Sequence, residues 1–237
     1  LVEAHKMAER GISVFPESVG AKECRNLINQ IETKSSLVKT ERVWNAPFPK
    51  IQLRYRNLTK AYFRVVSYDW VTYMRESNRH SENIPSNERK QWLAKKPVKE
   101  WSVDLPPTKD FKERVEKITP PNDLEPGSYY LLASHDPEFK EQENQVTYSS
   151  FWVSDLSVIV RTLRGSGNLE GFVLNAITGE PIQGAKVRSW KRENNRKIDL
   201  EPVSTDANGL FRIKHARASI RVLVCLLYTS PSPRDPL

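Results

Sequence analysis

The chain has 237 residues, of which 38% are hydrophobic and 28% are charged, and its formal net charge is +8. No apolar run approaches the roughly 18 residues that a membrane-spanning helix needs. The basic residues are dispersed and do not form the stripe with stacking aromatics that is typical of nucleic-acid surfaces, so we expect no membrane span and no nucleic-acid partner.

The first 36 residues have the periodicity of helices. Apolar residues recur at three- and four-residue spacing through 21–31, and Ser18 stands where an N-cap is needed. A shorter helix before it is predicted to end at Gly11. We therefore predict an α-helical segment over residues 1–36, in which Cys24 is a small buried hydrophobe.

From residue 37 the apolar period becomes two, which indicates strands. Residues 51–56 alternate apolar and polar side chains, and residues 62–68 return after a short turn, so the pair is predicted to be a hairpin. Residues 69–97 have helical composition and are predicted to be an insertion between strands. The core of this antiparallel sandwich is predicted to include Leu53, Phe63, Val65, Tyr130, Leu132, Trp152 and Ile159.

The predicted sandwich extends over residues 37–164. Its last strand is predicted at 156–163, after a bend at 154–155. The Gly-Ser-Gly sequence at 165–167 then predicts a domain boundary, because glycine and serine clusters favour flexible connections.

Residues 168–224 are predicted to be a second, truncated β-sandwich. Segment 171–174 is predicted to pair as a hairpin with 185–190 across a Thr-Gly-Glu-Pro turn at 178–181. An Asp-Ala-Asn-Gly turn at 206–209 can supply the positive φ that tight turns require. This arrangement resembles carboxypeptidase-regulatory-like and transthyretin-like modules, a resemblance that implies architecture more than function.

No residue pattern predicts a catalytic, cofactor or metal site. The histidines are far apart in sequence and lack the spacing of zinc ligands: His5, His80, His135 and His215. The turn at 206–209 lacks the following glutamate of a calcium loop. There is no nucleophile elbow, phosphate loop or dinucleotide fingerprint. We therefore predict a non-enzymatic chain that binds no cofactor.

Several segments together resemble the N-terminal macroglobulin-like domains of bacterial alpha-2-macroglobulins, over residues 12–215. They include Pro-Gly-Ser-Tyr-Tyr at 126–130, Phe-Trp-Val-Ser-Asp-Leu at 151–156 and the regulatory-like pattern that follows. The resemblance implies tandem macroglobulin/immunoglobulin-like sandwiches, and it implies that residues 15–24 end a helical-repeat region. The thioester motif of the family, Cys-Gly-Glu-Gln, is absent here; the family carries it farther downstream.

The resemblance also implies a function. It is that of a scaffold fragment in an endopeptidase inhibitor, whose intact form traps proteases at the periplasm or cell envelope, with a lipid anchor as one option. The implied partners are endopeptidases, reached through the intact protein, and neighbouring macroglobulin domains. The alternative is a cell-surface adhesion or receptor module with a carboxypeptidase-regulatory-like domain. An accessory domain of an enzyme ranks last, because nothing before residue 168 resembles a peptidase.

The end of the sequence has a different character. Residues 225–235 resemble a translated sequencing adapter, so residues 225–237 are predicted to be a non-native tail. The other interpretation is a natural strand over 220–227 followed by a linker rich in proline and serine.

Overall fold

The computed structural model describes residues 1–76, 84, 86–142, 144–163, 168–193, 196–214 and 220–225. The chain divides into two units, Leu1–Ser154 and Asp155–Leu237, called here the N-terminal and C-terminal units. The N-terminal unit contains α1 Val2–Val14, α2 Val19–Glu32, β1 Ser35–Lys39, β2 Val43–Trp44, β3 Ile51–Arg56, β4 Lys60–Ser67, α3 Trp70–Glu76, α4 Ser86–Ala94, β5 Lys99–Asp104, β6 Arg114–Ile118, β7 Gly127–Ser134 and β8 Thr147–Val153. The C-terminal unit contains β9 Leu156–Leu163, β10 Asn168–Asn175, β11 Lys186–Glu193, β12 Arg196–Ser204, β13 Leu210–Ile213 and β14 Ile220–Cys225.

The predicted fold class is confirmed: the chain is mainly β, with helices at its N-terminus. The N-terminal unit has a three-stranded sheet in the order β1-β3-β6 and a five-stranded sheet in the order β2-β8-β7-β4-β5. The C-terminal unit has two three-stranded sheets, β13-β10-β9 and β12-β11-β14. Among the described strands, only β2 and β8 pair in parallel; the other pairs are antiparallel.

The helices α1 and α2 form a hairpin, and α2 begins where the sequence predicts. Ser18 is the N-cap of α2, and its Oγ accepts a hydrogen bond from the Ala21 amide at 3.0 Å. Ala8 of α1 and Ala21 and Ile31 of α2 are buried. The small side chains of Ala8 and Ala21 allow the two helices to pack closely.

The predicted end of α1 at Gly11 is wrong, because the helix continues to Val14. A Cβ at Gly11 would lie 3.1 Å from the Cys24 Sγ on α2. Gly11 therefore lies at a close approach of the two helices and does not end α1. Cys24 is half-buried at this contact.

The strand β3 has the burial that its alternation predicts. Ile51, Leu53 and Tyr55 are fully buried, whereas Gln52 and Arg54 between them are exposed. Apolar burial of this kind is the main stabilising term in a sandwich. The core between the two sheets contains Val38, Trp44, Ile51, Leu53, Tyr55, Leu58, Ala61, Phe63, Val65, Leu105, Ile118, Leu124, Tyr129, Leu131, Ala133, Phe151 and Val153.

The predicted hairpin between residues 51–56 and 62–68 is wrong. β3 pairs with β1 and β6, whereas β4 pairs with β5 and β7 in the other sheet. The connection crosses the core: Asn57 has φ +58° and Leu58 is buried. Two strands that face one core from opposite sheets have the same alternation as a hairpin, so periodicity could not distinguish the two arrangements.

Strand β7 is buried on both faces. Tyr129, Leu131 and Ala133 face the core between the sheets, whereas Tyr130 and Leu132 belong to a second apolar cluster. That cluster includes Trp92 of α4, with Trp70 and Tyr73 of α3 packed against it. The predicted helical insertion at 69–97 is present as α3 and α4, and it covers the outer face of the five-stranded sheet; residues 77–83 and 85 lie outside the described part.

Five of the seven predicted core residues are buried: Leu53, Phe63, Val65, Tyr130 and Leu132. Trp152 is only half-buried, with its ring 5.6 Å from that of Trp70. Ile159 is 56% exposed and lies in the C-terminal unit, so its assignment to the first core is wrong.

The assignment of residues 156–163 to the first sandwich is also wrong. This segment is β9, which pairs with β10 along eight residue pairs from Leu156↔Asn175 to Leu163↔Asn168. The change of unit occurs at the bend that the sequence indicated, between Ser154 and Asp155. The predicted boundary at 165–167 falls in the β9–β10 connection and lies outside the described residues.

The predicted hairpin of 171–174 with 185–190 is wrong as well. β10 pairs with β9 and β13, whereas β11 pairs with β12 and β14. One isolated bridge, Leu174↔Pro181, is all that pairs β10 with the segment leading to β11. The core of this unit contains Leu169, Val173, Ala185, Val187, Phe211 and Ile213. Cys225 ends β14, and residues 226–237 of the predicted tail lie outside the described part of the chain.

Candidate functional surfaces

The polar residues of the Thr-Asp-Ala-Asn-Gly turn in the C-terminal unit make hydrogen bonds with backbone groups. The Thr205 hydroxyl accepts a hydrogen bond from the Ala185 amide at 2.9 Å and donates to the Ile182 carbonyl at 2.6 Å. The Asp206 carboxylate accepts hydrogen bonds from the Asn208 and Leu210 amides at 2.9 and 3.0 Å. The Thr-Asp-Ala-Asn-Gly sequence is thus a capped turn that fixes a crossing loop.

His5 and His135 are the histidines that lie within the described residues. His5 Nε2 lies 2.8 Å from Glu32 Oε1, and the His5 ring stacks on Phe111 at 4.9 Å. His80 and His215 lie outside the described residues. Within the described ranges, no three His, Cys, Asp or Glu side chains are grouped so that they could hold a metal ion.

A charged triad crosses the sheet β13-β10-β9. Arg161 and Arg212 are the direct cross-strand neighbours of Glu170. Arg161 Nη2 donates to Glu170 Oε2 at 2.6 Å, and Arg212 Nε donates to Oε1 at 2.8 Å. The hydrogen bond from Arg161, supported by that from Arg212, lowers the pKa of Glu170. The two exposed guanidinium groups cover the carboxylate, and these ion pairs stabilise the sheet. The triad as a whole has one excess positive charge.

A cationic face lies on the outer side of the sheet β12-β11-β14. We define it by Arg188, Arg192, Lys197 and Arg221, which surround Trp190. Arg221 is the cross-strand neighbour of Trp190 on β14, and Lys197 is that of Arg192 on β12.

The acidic Asp199 is the cross-strand neighbour of Trp190 on β12. The guanidinium carbon of Arg188 lies 5.6 Å from the centre of the Trp190 ring. Burial lowers the pKa of Lys197, and the positive charges of Arg221 and Arg192 lower it further. The residues of this face together carry more positive than negative charge.

Sequence reasoning missed both charged groups. Arg161 and Arg212 of the triad are far apart in the sequence, and Arg221 is far from the other cations of the face. Only strand register brings these residues to one face. Alternation along β10 and β11 predicts which side chains share a face of each strand. It does not predict which strands lie beside them, and that pairing is what assembles the charged groups.

A cleft of about 360 Å³ opens between β12 and β13 of the C-terminal unit. It is lined by Leu200, Glu201, Val203, Arg212, Ile213 and Lys214. The guanidinium group of Arg212, which lines this cleft, donates to Glu170.

The tip of the helical hairpin exposes apolar side chains. Val14 and Phe15 at the end of α1 and Val19 at the start of α2 are all largely exposed. No helix in the described part of the chain has the length and apolar character of a membrane span.

Comparison with known proteins identifies the fold. No protein-family model matches the chain, and no curated protein matches it. A crystal structure of native alpha-2-macroglobulin from Escherichia coli spanning domains NIE-MG1 matches with a TM-score of 0.52 and 14% identity, covering 81% of this chain and 93% of that one. A structure of the E. coli protein spanning MG0-NIE-MG1 gives a TM-score of 0.53 at 13% identity, covering 81% and 64%.

A mutant alpha-2-macroglobulin from Salmonella gives a TM-score of 0.52 at 13% identity. That match covers 80% of this chain but only 11% of the Salmonella chain. The chain therefore shares its fold with a small part of the Salmonella protein.

Proposed function

We propose that the chain is a non-catalytic scaffold segment of a bacterial alpha-2-macroglobulin-like endopeptidase inhibitor. One observation carries the proposal: the match to the E. coli NIE-MG1 structure covers 81% of the 237 residues. This is longer than the N-terminal unit, Leu1–Ser154, so the match extends into both units.

The proposed role is to hold neighbouring macroglobulin domains in place within the intact protein, in the periplasm or at the cell envelope. Endopeptidases are the proposed partners of that intact protein. The polar motif residues support a scaffold role, because Thr205, Asp206 and Asn57 direct their side chains to backbone groups of the fold. The exposed apolar tip at Val14, Phe15 and Val19 is a suitable contact for an adjoining domain.

A retention assay tests this function. The intact parent protein and the isolated chain are each mixed with a panel of endopeptidases, and complexes are separated by size. We expect the parent to retain an endopeptidase, and we expect the isolated chain to retain none and to have no hydrolase or transferase activity. Endopeptidase activity of the chain alone, or a parent that retains no protease in the panel, would contradict the proposal.

A matched pair of parent variants links retention to this segment. Leu131→Asp places a charge in the core of the N-terminal unit, where Leu131 is buried, and is expected to abolish retention. Val115→Asp changes a valine that is 58% exposed on β6 and is expected to leave retention unchanged. Equal retention by both variants would show that the segment is not part of the trapping assembly.

A further inference from the structure

The sequence contains one Asn-Gly pair, Asn208-Gly209, and the pair lies in the turn between β12 and β13. Asparagine followed by glycine is especially prone to deamidation, because the glycine has no side chain to hinder attack by its amide nitrogen on the asparagine side chain. Asn208 is exposed, so water can reach the reacting atoms. The pair is therefore a candidate site of spontaneous covalent modification.

The turn holds the nitrogen that would attack in a hydrogen bond. The Gly209 amide donates to the Asp206 carbonyl at 2.9 Å. The Asp206 carboxylate accepts hydrogen bonds from the amides on either side, those of Asn208 and Leu210, at 2.9 and 3.0 Å. The Gly209 amide must be released from these constraints before it can lose its proton and turn towards the Asn208 side chain. The closed turn therefore protects Asn208 from its own neighbour.

The main chain at Gly209 has little room for the product of such a reaction. Gly209 is buried, its φ is +70°, and a Cβ there would lie 2.4 Å from the Val173 carbonyl oxygen. The Gly209 carbonyl also accepts a hydrogen bond from the Val173 amide at 2.8 Å. An isoaspartyl linkage inserts an additional CH2 group into the main chain directly before Gly209. The displaced glycine would lose this hydrogen bond, so we expect the modified turn to stay open.

We propose that Asn208-Gly209 is a self-modification site that the Asp206 turn keeps closed and that reacts when the turn opens. On opening, the Gly209 nitrogen loses its proton to solvent and forms a bond to the Asn208 Cγ. The Cγ–Nδ2 bond breaks, the leaving nitrogen takes a proton from water, and ammonia departs. Water then opens the cyclic imide at one of its two carbonyl groups, which leaves either an aspartate or an isoaspartate at position 208.

The rate of this reaction follows the population of the open turn. The chemistry is slow relative to opening and closing of a loop, so the rate is proportional to the open fraction. Hydrogen exchange at the Gly209 amide requires the same release from the Asp206 carbonyl, and the fold therefore slows both processes together. The isoaspartyl product records past openings of the C-terminal unit. This property is independent of the proposed scaffold role.

Mass spectrometry of the full chain tests the site. The chain is incubated in mildly alkaline buffer, with and without denaturing guanidinium chloride, beside a blocked peptide of residues 203–212. Aspartate and isoaspartate at position 208 are measured over time. We expect the peptide and the unfolded chain to react at similar rates and the folded chain to react at least about tenfold more slowly. Hydrogen exchange of the folded chain is expected to show protection of the Gly209 amide by a comparable factor.

Variants of Asp206 test whether its carboxylate keeps the turn closed. Asp206→Ala is expected to raise the rate at Asn208 in the folded chain at least about threefold and to lower the protection of the Gly209 amide in the same proportion. Asp206→Asn retains a side-chain acceptor without the charge, and its effect is expected to be smaller. Thr178→Ala is the matched control, because Thr178 Oγ1 accepts from the Glu180 amide at 3.2 Å in a different turn, and it is expected to change neither quantity.

Two results would overturn the proposal. One is a folded chain that reacts at Asn208 as fast as the free peptide, because the turn would then give no protection. The other is faster exchange at Gly209 in both Asp206 variants with an unchanged rate at Asn208, because the two processes would then not share one opening. Full exchange protection of Gly209 in the purified isoaspartyl product would contradict the expectation that the modified turn stays open.

Discussion

Replacing Trp44 by alanine tests how much the burial of this side chain stabilises the N-terminal unit. Trp44 is fully buried in the two-residue strand β2. Its ring stacks on Phe151 at 3.9 Å between centroids, and its Nε1 lies 3.0 Å from Thr40 Oγ1 and 3.1 Å from the Glu41 carbonyl. Removing this side chain leaves a cavity between the sheets and an unfilled space beside Phe151.

The expected loss for Trp44→Ala is about 3–5 kcal/mol, the range for large aromatic residues in a packed core. Trp44→Phe keeps most of the ring and loses the indole hydrogen bond, so a smaller loss of about 1–2 kcal/mol is expected. Trp152→Ala is the matched comparison. It removes a tryptophan that lies between the core-facing residues Phe151 and Val153 of β8, and because Trp152 is half-buried we expect about 1–2 kcal/mol.

The measurement is urea unfolding followed by circular dichroism, with hydrogen exchange in β3 and β7 to attribute the change to the N-terminal unit. Unit-specific exchange is needed because two units need not unfold in one step. If Trp152→Ala costs as much as Trp44→Ala, the core between the sheets is not where these packing distances place it.

Two further predictions concern the C-terminal unit. Gly179→Ala and Gly209→Ala both place a side chain at positive φ, +75° and +70°, but only at Gly209 would the Cβ meet a carbonyl, that of Val173 at 2.4 Å. We expect Gly179→Ala to cost about 1–2 kcal/mol and Gly209→Ala at least about 1 kcal/mol more, measured by urea unfolding; equal costs would contradict the close approach. Because the pKa of Glu170 is lowered in the folded state, its stabilising effect is present above the ordinary glutamate pKa and is lost as the pH falls through the lowered value. Acidification is expected to lower the urea midpoint of this unit, and Glu170→Gln is expected to make that fall smaller. Glu201→Gln, an exposed control, is expected to leave the size of the fall unchanged.

Side-chain alternation predicted which residues are buried better than it predicted which strands are neighbours. Ile51, Leu53 and Tyr55 are buried as the pattern required. The same pattern paired β3 with β4, although the two strands lie in opposite sheets. Alternation records the side of a strand that faces apolar surroundings, and it contains no information about which strand supplies the adjacent hydrogen bonds.

The segment 156–163 was misassigned for a related reason. It is strongly apolar, so it suited the core of either unit, and the bend before it was interpreted as a kink within one sheet. Its partner β10 begins only after residue 167, and the complete eight-pair ladder was visible only in the structure. The charged triad and the cationic face were missed because cross-strand register determines both of them.

The position of β8 has a consequence for how the N-terminal unit forms during synthesis. β2 ends at residue 44, and its parallel partner β8 begins at residue 147. Trp44 stacks on Phe151 of that same late strand. The stretch between them must therefore leave the ribosome before β2 has a place to pair and Trp44 has its stacking partner.

Contacts between residues so far apart in sequence slow folding, because the intervening chain must be closed into a loop before the contact gives any stabilisation. Until β8 emerges, the apolar residues of β3 and β4 face an incomplete core. Their exposed apolar surface favours aggregation of the nascent chain.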